Sequence, residues 1–128
     1  MTKIRRKGVA LVESSKGILL VAGRSKKFTL PGGGAGKGES RKKAAIRELH
    51  EETGLQATNA KYLFSYTGKQ WVTHSGSLVR NHAKVFLIEA IGYCHPRHEI
   101  KYVTWYKPNS KINISQRTRD ILDRYFGM

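Results

Sequence analysis

The stretch from Gly33 to Leu55, GGAGKGESRKKAAIRELHEETGL, decides how this chain is interpreted. It follows the pattern G-x5-E-x7-R-E-L-x-E-E-x-G-L, in which nine fixed positions fall within 23 residues. So many fixed positions in so short a stretch do not arise readily by chance, and no other part of the chain is as informative. The fixed positions are Gly33, Glu39, Arg47, Glu48, Leu49, Glu51, Glu52, Gly54 and Leu55.

The local sequence predicts a glycine loop followed by a helix. The residues Pro31-Gly32-Gly33-Gly34 predict a tight loop without Cβ atoms, whose backbone can approach a ligand closely. Ser40 is a suitable N-cap, and the residues from Arg41 to Thr53 include many helix formers. Gly54 stands where a helix favours a C-cap glycine. We therefore predict a helix over Arg41–Thr53.

Three carboxylates share one face of this helix. Glu48, Glu51 and Glu52 stand at positions i, i+3 and i+4. Like charges held together raise the pKa of each carboxyl group unless a cation neutralises them. Because every ligand would be an oxygen atom, Mg²⁺ or Mn²⁺ is the cation that the pattern favours.

The plain alternative is a solvated acidic helix face, and the charge distribution argues against it. The chain has nine acidic residues and 24 basic ones, and four of the nine acids fall between Glu39 and Glu52. A surface that served only solubility would not concentrate its few carboxylates there. We therefore favour a functional carboxylate cluster.

With this pattern the chain resembles the Nudix hydrolases, whose signature it matches at every fixed position. The resemblance implies a pyrophosphohydrolase, which cleaves a nucleoside diphosphate linked to another moiety by attack of water on phosphorus. Such a reaction depends on positioning and charge neutralisation, which Mg²⁺ or Mn²⁺ supplies. Nucleoside triphosphates, dinucleoside polyphosphates and RNA 5′ ends are among the substrate classes of the family.

The resemblance also implies catalytic and metal-binding roles for the glutamates. Glu51 and Glu52 would be the principal metal ligands, and Glu48 would be a further ligand or the base that activates water. Arg47 would hold a glutamate in place, and Glu39 would lie near the metal ions.

Further ligands are predicted outside the helix. The carbonyl oxygen of Gly32 would be one, since it directly precedes the signature. Family members often use one more carboxylate from a later loop, and Glu99, six residues before Trp105, is our hypothesis for it. A surface glutamate is the alternative for Glu99.

Substrate phosphates would meet basic residues and the glycine loop. Arg24 follows the second predicted strand, and Lys37 lies in the segment between the glycines and the helix. Both are candidates for binding phosphate, together with Gly33. Among the aromatic residues, Trp71 lies in a polar stretch and is the least typical of a core.

The net charge of +15 indicates a polyanionic partner. A phosphate-rich small molecule, most simply a nucleotide, satisfies it, and so does RNA. The basic residues are scattered, which is weaker evidence for a nucleic-acid groove than one dense stripe. The alternative function is a catalytically silent Nudix-fold module that binds RNA or another polyanion, although the intact carboxylates argue against lost turnover.

Length and composition predict one domain over residues 1–128, with residues 1–7 as a basic N-terminal tail. No apolar run approaches the ~20 residues that span a membrane. The single cysteine, Cys94, excludes an intramolecular disulfide and favours a cytoplasmic location. The sequence leaves open whether the chain is a monomer or a homodimer.

Periodicity predicts an α+β fold, an α/β/α sandwich with mixed β-sheets between the signature helix and a C-terminal helix. The C-terminal segment has apolar residues at helical spacing, and Ser115 is its predicted cap. The predicted strands are Gly8 to Glu13, Ile18 to Ala22, Ala60 to Tyr66, Ala83 to Ile91 and Tyr102 to Tyr106.

Overall fold

The computed structural model describes all residues from Met1 to Met128. Two helices and eight strands follow one another along the chain. They are β1 Lys3–Leu11, β2 Glu13–Ser14, β3 Gly17–Ala22, β4 Gly32–Gly34, α1 Arg41–Thr53, β5 Gln56–Thr67, β6 Trp71–Val72, β7 Leu78–Ile91, β8 Tyr102–Tyr106 and α2 Gln116–Phe126.

The strands form two sheets. The larger has the order β4-β1-β7-β5, with β6 paired to β7, and the smaller has the order β2-β3-β8. The pairing of β1 with β7 is parallel, whereas the other pairings are antiparallel. The larger sheet is therefore mixed, as the sequence predicted.

The larger sheet separates the two helices. Neighbouring residues of a strand point to opposite faces, so Val9 and Val85 pack in the core that contains α2, while Ala10 and Phe86 pack in the core that contains α1. These two cores lie on the two faces of one sheet. The predicted α/β/α sandwich is confirmed.

The N-terminal residues belong to the sheet. Strand β1 begins at Lys3 and pairs in parallel with β7 from Val79 onward. The prediction of a basic tail over residues 1–7 is therefore wrong for residues 3–7. The pairing with β7 supplies hydrogen-bond partners to a polar segment whose composition alone does not indicate a strand.

The glycine segment is a strand and not a loop. Gly32–Gly34 form β4, which pairs antiparallel with Lys7, Gly8 and Val9 of β1. A Cβ atom at Gly32 would collide with the carbonyl oxygen of Gly8. The glycines are thus needed because two backbones approach closely, which a local turn signal does not reveal.

The remaining predicted elements are present, some with different bounds. Both helices and β8 agree with the predictions. Strand β7 begins earlier than predicted because Val79 to His82 pair with Lys3 to Arg6 of β1. Strand β5 begins earlier because Gln56 to Asn59 pair with Glu89 to Ile91 of β7. Neither helix is long and apolar enough to cross a membrane.

Helix α1 lies against β1 at Gly8. A Cβ atom at Gly8 would overlap the carbonyl oxygen of Arg41 and stand 2.7 Å from the backbone nitrogen of Ala45. Only glycine therefore allows the helix backbone to lie this close to the strand. This contact sets the height of α1, and of its carboxylates, above the sheet.

We expect Gly8→Ala to lower the free energy of unfolding by about 3 kcal/mol or more, because backbone atoms must move apart to admit the methyl group. Urea denaturation measures the change. Gly34→Ala is the matched control, since a Cβ atom there meets no atom within 4 Å. Equal stability of the two variants would contradict the role assigned to Gly8.

Candidate active site

The carboxylates stand on a helix whose two ends are defined by their caps. The Ser40 side chain accepts a hydrogen bond from the Lys43 N–H at 3.1 Å. Gly54 adopts a left-handed conformation with φ of 81°, and its N–H donates to the His50 carbonyl oxygen at 2.8 Å. The helix therefore presents its glutamates at fixed positions, as predicted.

Arg47 lies at the centre of the cluster. Its Nε is 2.9 Å from Glu39 Oε2, and its Nη1 is 2.8 Å from both Glu48 Oε1 and Glu51 Oε1. Its Nη2 also donates to the Gly34 carbonyl oxygen at 3.1 Å. One guanidinium thus ties three carboxylates to the glycine strand.

Glu39 belongs to this cluster although it precedes the helix. The hydrogen bond from Arg47, helped by one from the Gly36 N–H at 2.9 Å, lowers the pKa of Glu39 to about 2. Glu39 is therefore ionised at every physiological pH. It keeps Arg47 oriented toward Glu48 and Glu51.

Glu52 occupies a different environment from its neighbours. It is 7% exposed and accepts a hydrogen bond from the Gly32 N–H at 3.1 Å. Burial raises the pKa of Glu52 to about 8, and the nearby charges of Glu48, Glu99 and Glu51 raise it further, against the effect of the Gly32 hydrogen bond. A carboxylate in this position is costly to ionise without a compensating cation.

Glycine 33 allows β4 to approach the helix. A Cβ atom at Gly33 would stand 2.6 Å from Cδ of Glu48 and 2.7 Å from its Oε2. The side chain of Glu48 is thus held against the strand backbone. Its position depends on the absence of a side chain at residue 33.

The residues fit a hard divalent cation by their chemistry. The cluster offers carboxylate oxygens, and it contains a buried carboxyl group whose ionised form calls for positive charge. In this conformation of the side chains, no three Asp, Glu, His or Cys residues converge in metal-coordinating geometry. Arg47 is ion-paired with Glu48 and Glu51, so these side chains would have to turn away from it to coordinate a cation.

The residues that the sequence predicts outside the helix differ in how close the structure places them to the carboxylates. Glu99 lies close enough to Glu52 to raise its pKa, and its carbonyl oxygen would be 3.4 Å from a Cβ atom at Gly23. The loop before β8 thus brings Glu99 toward the cluster. Arg24 and Lys37 are exposed, and neither forms an ion pair with a carboxylate.

A cavity of about 460 Å³ lies between the sheet and the start of α2. Asn81 Oδ1 is buried and has no hydrogen-bond partner. Arg117 forms no hydrogen bond, and burial lowers its pKa. The cavity is lined by Thr29, Tyr66, Gly68, Lys69, Trp71, Asn81, Ser115, Gln116, Arg117 and Asp120.

The charge of Lys7 interacts both with Glu48 of the carboxylate cluster and with Arg117, which lines the cavity. Burial lowers the pKa of Lys7, the charges of Arg117 and Arg5 lower it further, and the charge of Glu48 raises it. Lys7 therefore lies near both Glu48 and Arg117. Sequence reasoning missed these two basic residues, because Lys7 was assigned to a tail and Arg117 is one of several cations on an amphipathic helix.

The comparisons with known proteins agree with this geometry. A family model described as the NUDIX domain matches residues 3–125. No curated protein matches the chain closely. A solved structure described as a nudix hydrolase family member from Chromobacterium violaceum is 33% identical, with a TM-score of 0.79, over 98% of this chain and 78% of that chain.

Two further solved structures share the fold. The E. coli ORF135 protein is 25% identical, with a TM-score of 0.75, over 98% of this chain and 91% of that chain. A bifunctional NMN adenylyltransferase/ADP ribose pyrophosphatase from Francisella tularensis, solved with AMP and a Mn ion, is 18% identical, with a TM-score of 0.71, over 99% of this chain and 42% of that chain. At this lower identity the likeness concerns the fold alone.

The family model covers nearly the whole chain, and four signature residues, Glu39, Arg47, Glu48 and Glu51, form one cluster of ion pairs. The chain therefore belongs to the Nudix family, and it is a hydrolase of phosphoric anhydride bonds that acts on nucleoside diphosphate derivatives.

Proposed function

We propose that this enzyme hydrolyses the pyrophosphate bridge of a nucleoside polyphosphate with Mg²⁺ or Mn²⁺ as its cofactor. The substrate class includes nucleoside triphosphates, dinucleoside polyphosphates and RNA 5′ ends. The observation that carries the proposal is the cluster of Glu39, Glu48 and Glu51 around Arg47, beside the buried Glu52 that accepts the Gly32 N–H. The single cysteine supports the further prediction of a cytoplasmic location.

The cavity suits the nucleoside part of such a substrate. Its volume of about 460 Å³ lies within the range of small-molecule sites. Tyr66 and Trp71 offer aromatic surface for a base, and the unpaired Asn81 Oδ1 can accept a hydrogen bond from it. Arg117 is half-buried and lines the cavity, so it can donate to a phosphate or base oxygen of the substrate.

The carboxylates suit the phosphate part of the substrate once a cation is bound. When bound, Mg²⁺ or Mn²⁺ would neutralise charge on the bridging phosphates and lower the pKa of water. We assign Glu51 and Glu52 as principal ligands, with Gly32, Glu39 and Glu99 as further ligands. The Mn ion in the Francisella tularensis structure supports this choice of cofactor.

The chain's own side chains complete the proposed site. Glu48 serves as a further ligand or as the base that takes a proton from the attacking water. Arg47 positions Glu39, Glu48 and Glu51, because its donors hold all three. Gly33, Lys37 and Arg24 are proposed to contact substrate phosphates.

The first experiment measures product release from a panel of substrates. The panel contains nucleoside di- and triphosphates, dinucleoside polyphosphates, ADP-ribose, 5′-triphosphate RNA and diphosphoinositol polyphosphates, each with Mg²⁺, with Mn²⁺ and with EDTA. We expect turnover that EDTA abolishes. If no substrate of the panel is hydrolysed and RNA binds tightly, the alternative, a binding module without turnover, would be favoured.

We expect Glu51→Gln to lower kcat by about 100-fold or more, because metal-ion catalysis contributes several kcal/mol to transition-state stabilisation. Glu89→Gln is the matched control, since Glu89 is an exposed carboxylate of β7 that forms no ion pair. Steady-state kinetics with saturating Mg²⁺ measures both variants. Equal rates for the two would remove Glu51 from the catalytic residues.

We expect Gly33→Ala to lower kcat by roughly tenfold to 100-fold, the range seen when a group that orients a metal ligand is changed. The new methyl group would displace Glu48, and a flexible side chain can move with little loss of stability. Gly34→Ala is the control, because it adds the same methyl group to open space on the same strand. A fall in kcat of equal size in both variants would show that a methyl group anywhere on β4 lowers kcat, and that displacement of Glu48 is not the cause.

Glu99→Gln tests the ligand outside the signature. If Glu99 coordinates a cation, the variant requires a higher Mg²⁺ concentration for half-maximal rate, by roughly tenfold or more. A Mg²⁺ titration of the initial rate measures this requirement for wild type and variant. An unchanged Mg²⁺ requirement and an unchanged kcat would assign Glu99 to the surface.

A further inference from the structure

Helix α1 leaves part of the larger sheet uncovered. Its first turn lies over Gly8, because Arg41 and Ala45 contact that residue. The helix then runs toward the later residues of β1, where Leu49 packs with Ala10 and Val12. The part of the sheet that precedes Gly8 in β1, and the paired part of β7, therefore extend beyond the helix on this face.

Strand alternation places basic side chains on this part of the sheet, where Arg80, His82 and Lys84 are half-buried. Gly8 faces α1, so Arg6 lies on the same face. The parallel register pairs Arg6 with His82 and Gly8 with Lys84, and it pairs Ile4 with Arg80. Arg41, at the start of α1, contacts His82 directly. We call this surface the basic face, formed by Arg6, Arg41, Arg80, His82 and Lys84.

No carboxylate neutralises the basic face. All three ion pairs of the protein involve Arg47. Arg80 Nε is buried and has no hydrogen-bond acceptor. The pKa of His82 is lowered, first by burial and then by the charges of Arg41 and Lys84. The positive charges thus repel one another without compensation.

The start of α1 adds to this excess of positive charge. Its first turn contains Arg41, Lys42 and Lys43 and no acidic residue. Cations are unfavourable at a helix N-terminus, because the helix dipole is positive there. Together with the unpaired Arg80, the arrangement indicates that a negatively charged partner stabilises this region when it binds.

The shape and spacing of the basic face fit an extended polyanion. Arg80, His82 and Lys84 follow one another on one side of β7, about 7 Å apart along the strand. Tyr62 is half exposed on the same face, and Lys84 Nζ lies 5.7 Å from its ring centroid. Two cations, Arg80 and Lys84, thus flank the neutral imidazole of His82, which can donate a hydrogen bond to a phosphate. Cations beside an exposed aromatic ring are typical of surfaces that bind single-stranded nucleic acid.

We propose that the basic face binds single-stranded nucleic acid as a docking surface of the enzyme. Phosphates lie along Arg80, His82 and Lys84, and a base stacks on Tyr62. The cavity at Arg117 lies on the opposite face of the sheet, among residues that pack with α2. Docking therefore leaves the proposed nucleotide cavity accessible, and it does not depend on which nucleotide is hydrolysed.

The experiment measures binding of a labelled 20-nucleotide single strand by fluorescence anisotropy over a range of salt concentrations. The variant is Arg80→Gln with Lys84→Gln. We expect its affinity to fall roughly tenfold and its salt slope to fall by about 1.4, since each phosphate contact on a single strand contributes about 0.7. Hydrolysis of the best nucleotide of the panel stays unchanged.

The control removes the same charge elsewhere. Lys107→Gln with Lys111→Gln changes two exposed lysines that follow β8 in the smaller sheet. We expect this variant to bind like the wild type. Equal weakening by both pairs would overturn the proposal, because it would show that net charge and not the basic face governs binding.

A second variant keeps the proposal testable if the first pair destabilises the fold. Thr67 is exposed on β5 and pairs with His82, so Thr67→Glu places a carboxylate on the basic face. We expect weaker binding with an unchanged or higher Tm, because the new charge relieves repulsion. Unchanged binding would overturn the proposal, as would wild-type binding to phosphatidylserine vesicles without binding to the oligonucleotide.

Discussion

The contact between Gly8 of β1 and the first turn of α1 is the constraint on which the site depends. It allows two backbones to approach so closely that no side chain fits between them. The glycines of β4 extend the same arrangement, since β4 pairs with β1 and lies against Glu48. Helix, strand and glycine strand are thereby fixed relative to one another. The carboxylates acquire defined positions because their supporting backbones cannot separate or slide.

Within this frame, the glutamates have unequal environments although they share one helix face. Glu39, Glu48 and Glu51 share the single positive charge of Arg47, whereas Glu52 is buried and accepts only the Gly32 N–H among its close donors. Burial disfavours its charged form. This contrast gives the cluster one carboxyl group that benefits most from a cation. Stability is sacrificed locally, as is common where a protein holds groups for catalysis.

The larger sheet gives the protein two surfaces of different character. One face carries α1 and, beyond it, the basic face; the other carries α2 and the cavity that holds Asn81 and Arg117. The net charge of +15 is therefore divided between surfaces that face different partners. Part of it lies beside the proposed nucleotide site at Lys7, and part lies on a sheet face with no carboxylate partner. A hydrolase of this design can hold a nucleotide and a longer polyanion at separate places.

The sequence by itself determined the signature helix, its caps, the carboxylate face and the order of the main elements, because these follow from local spacing and composition. It could not reveal that residues 3–7 form a strand or that Gly32–Gly34 pair with β1, since both depend on partners distant in the chain. It also missed Lys7 and Arg117, which are ordinary basic residues in the sequence and become half-buried only in the fold. Only the tertiary structure decided which cations are paired, buried or left facing one another, because those properties come from contacts between strands and helices and not from neighbours along the chain.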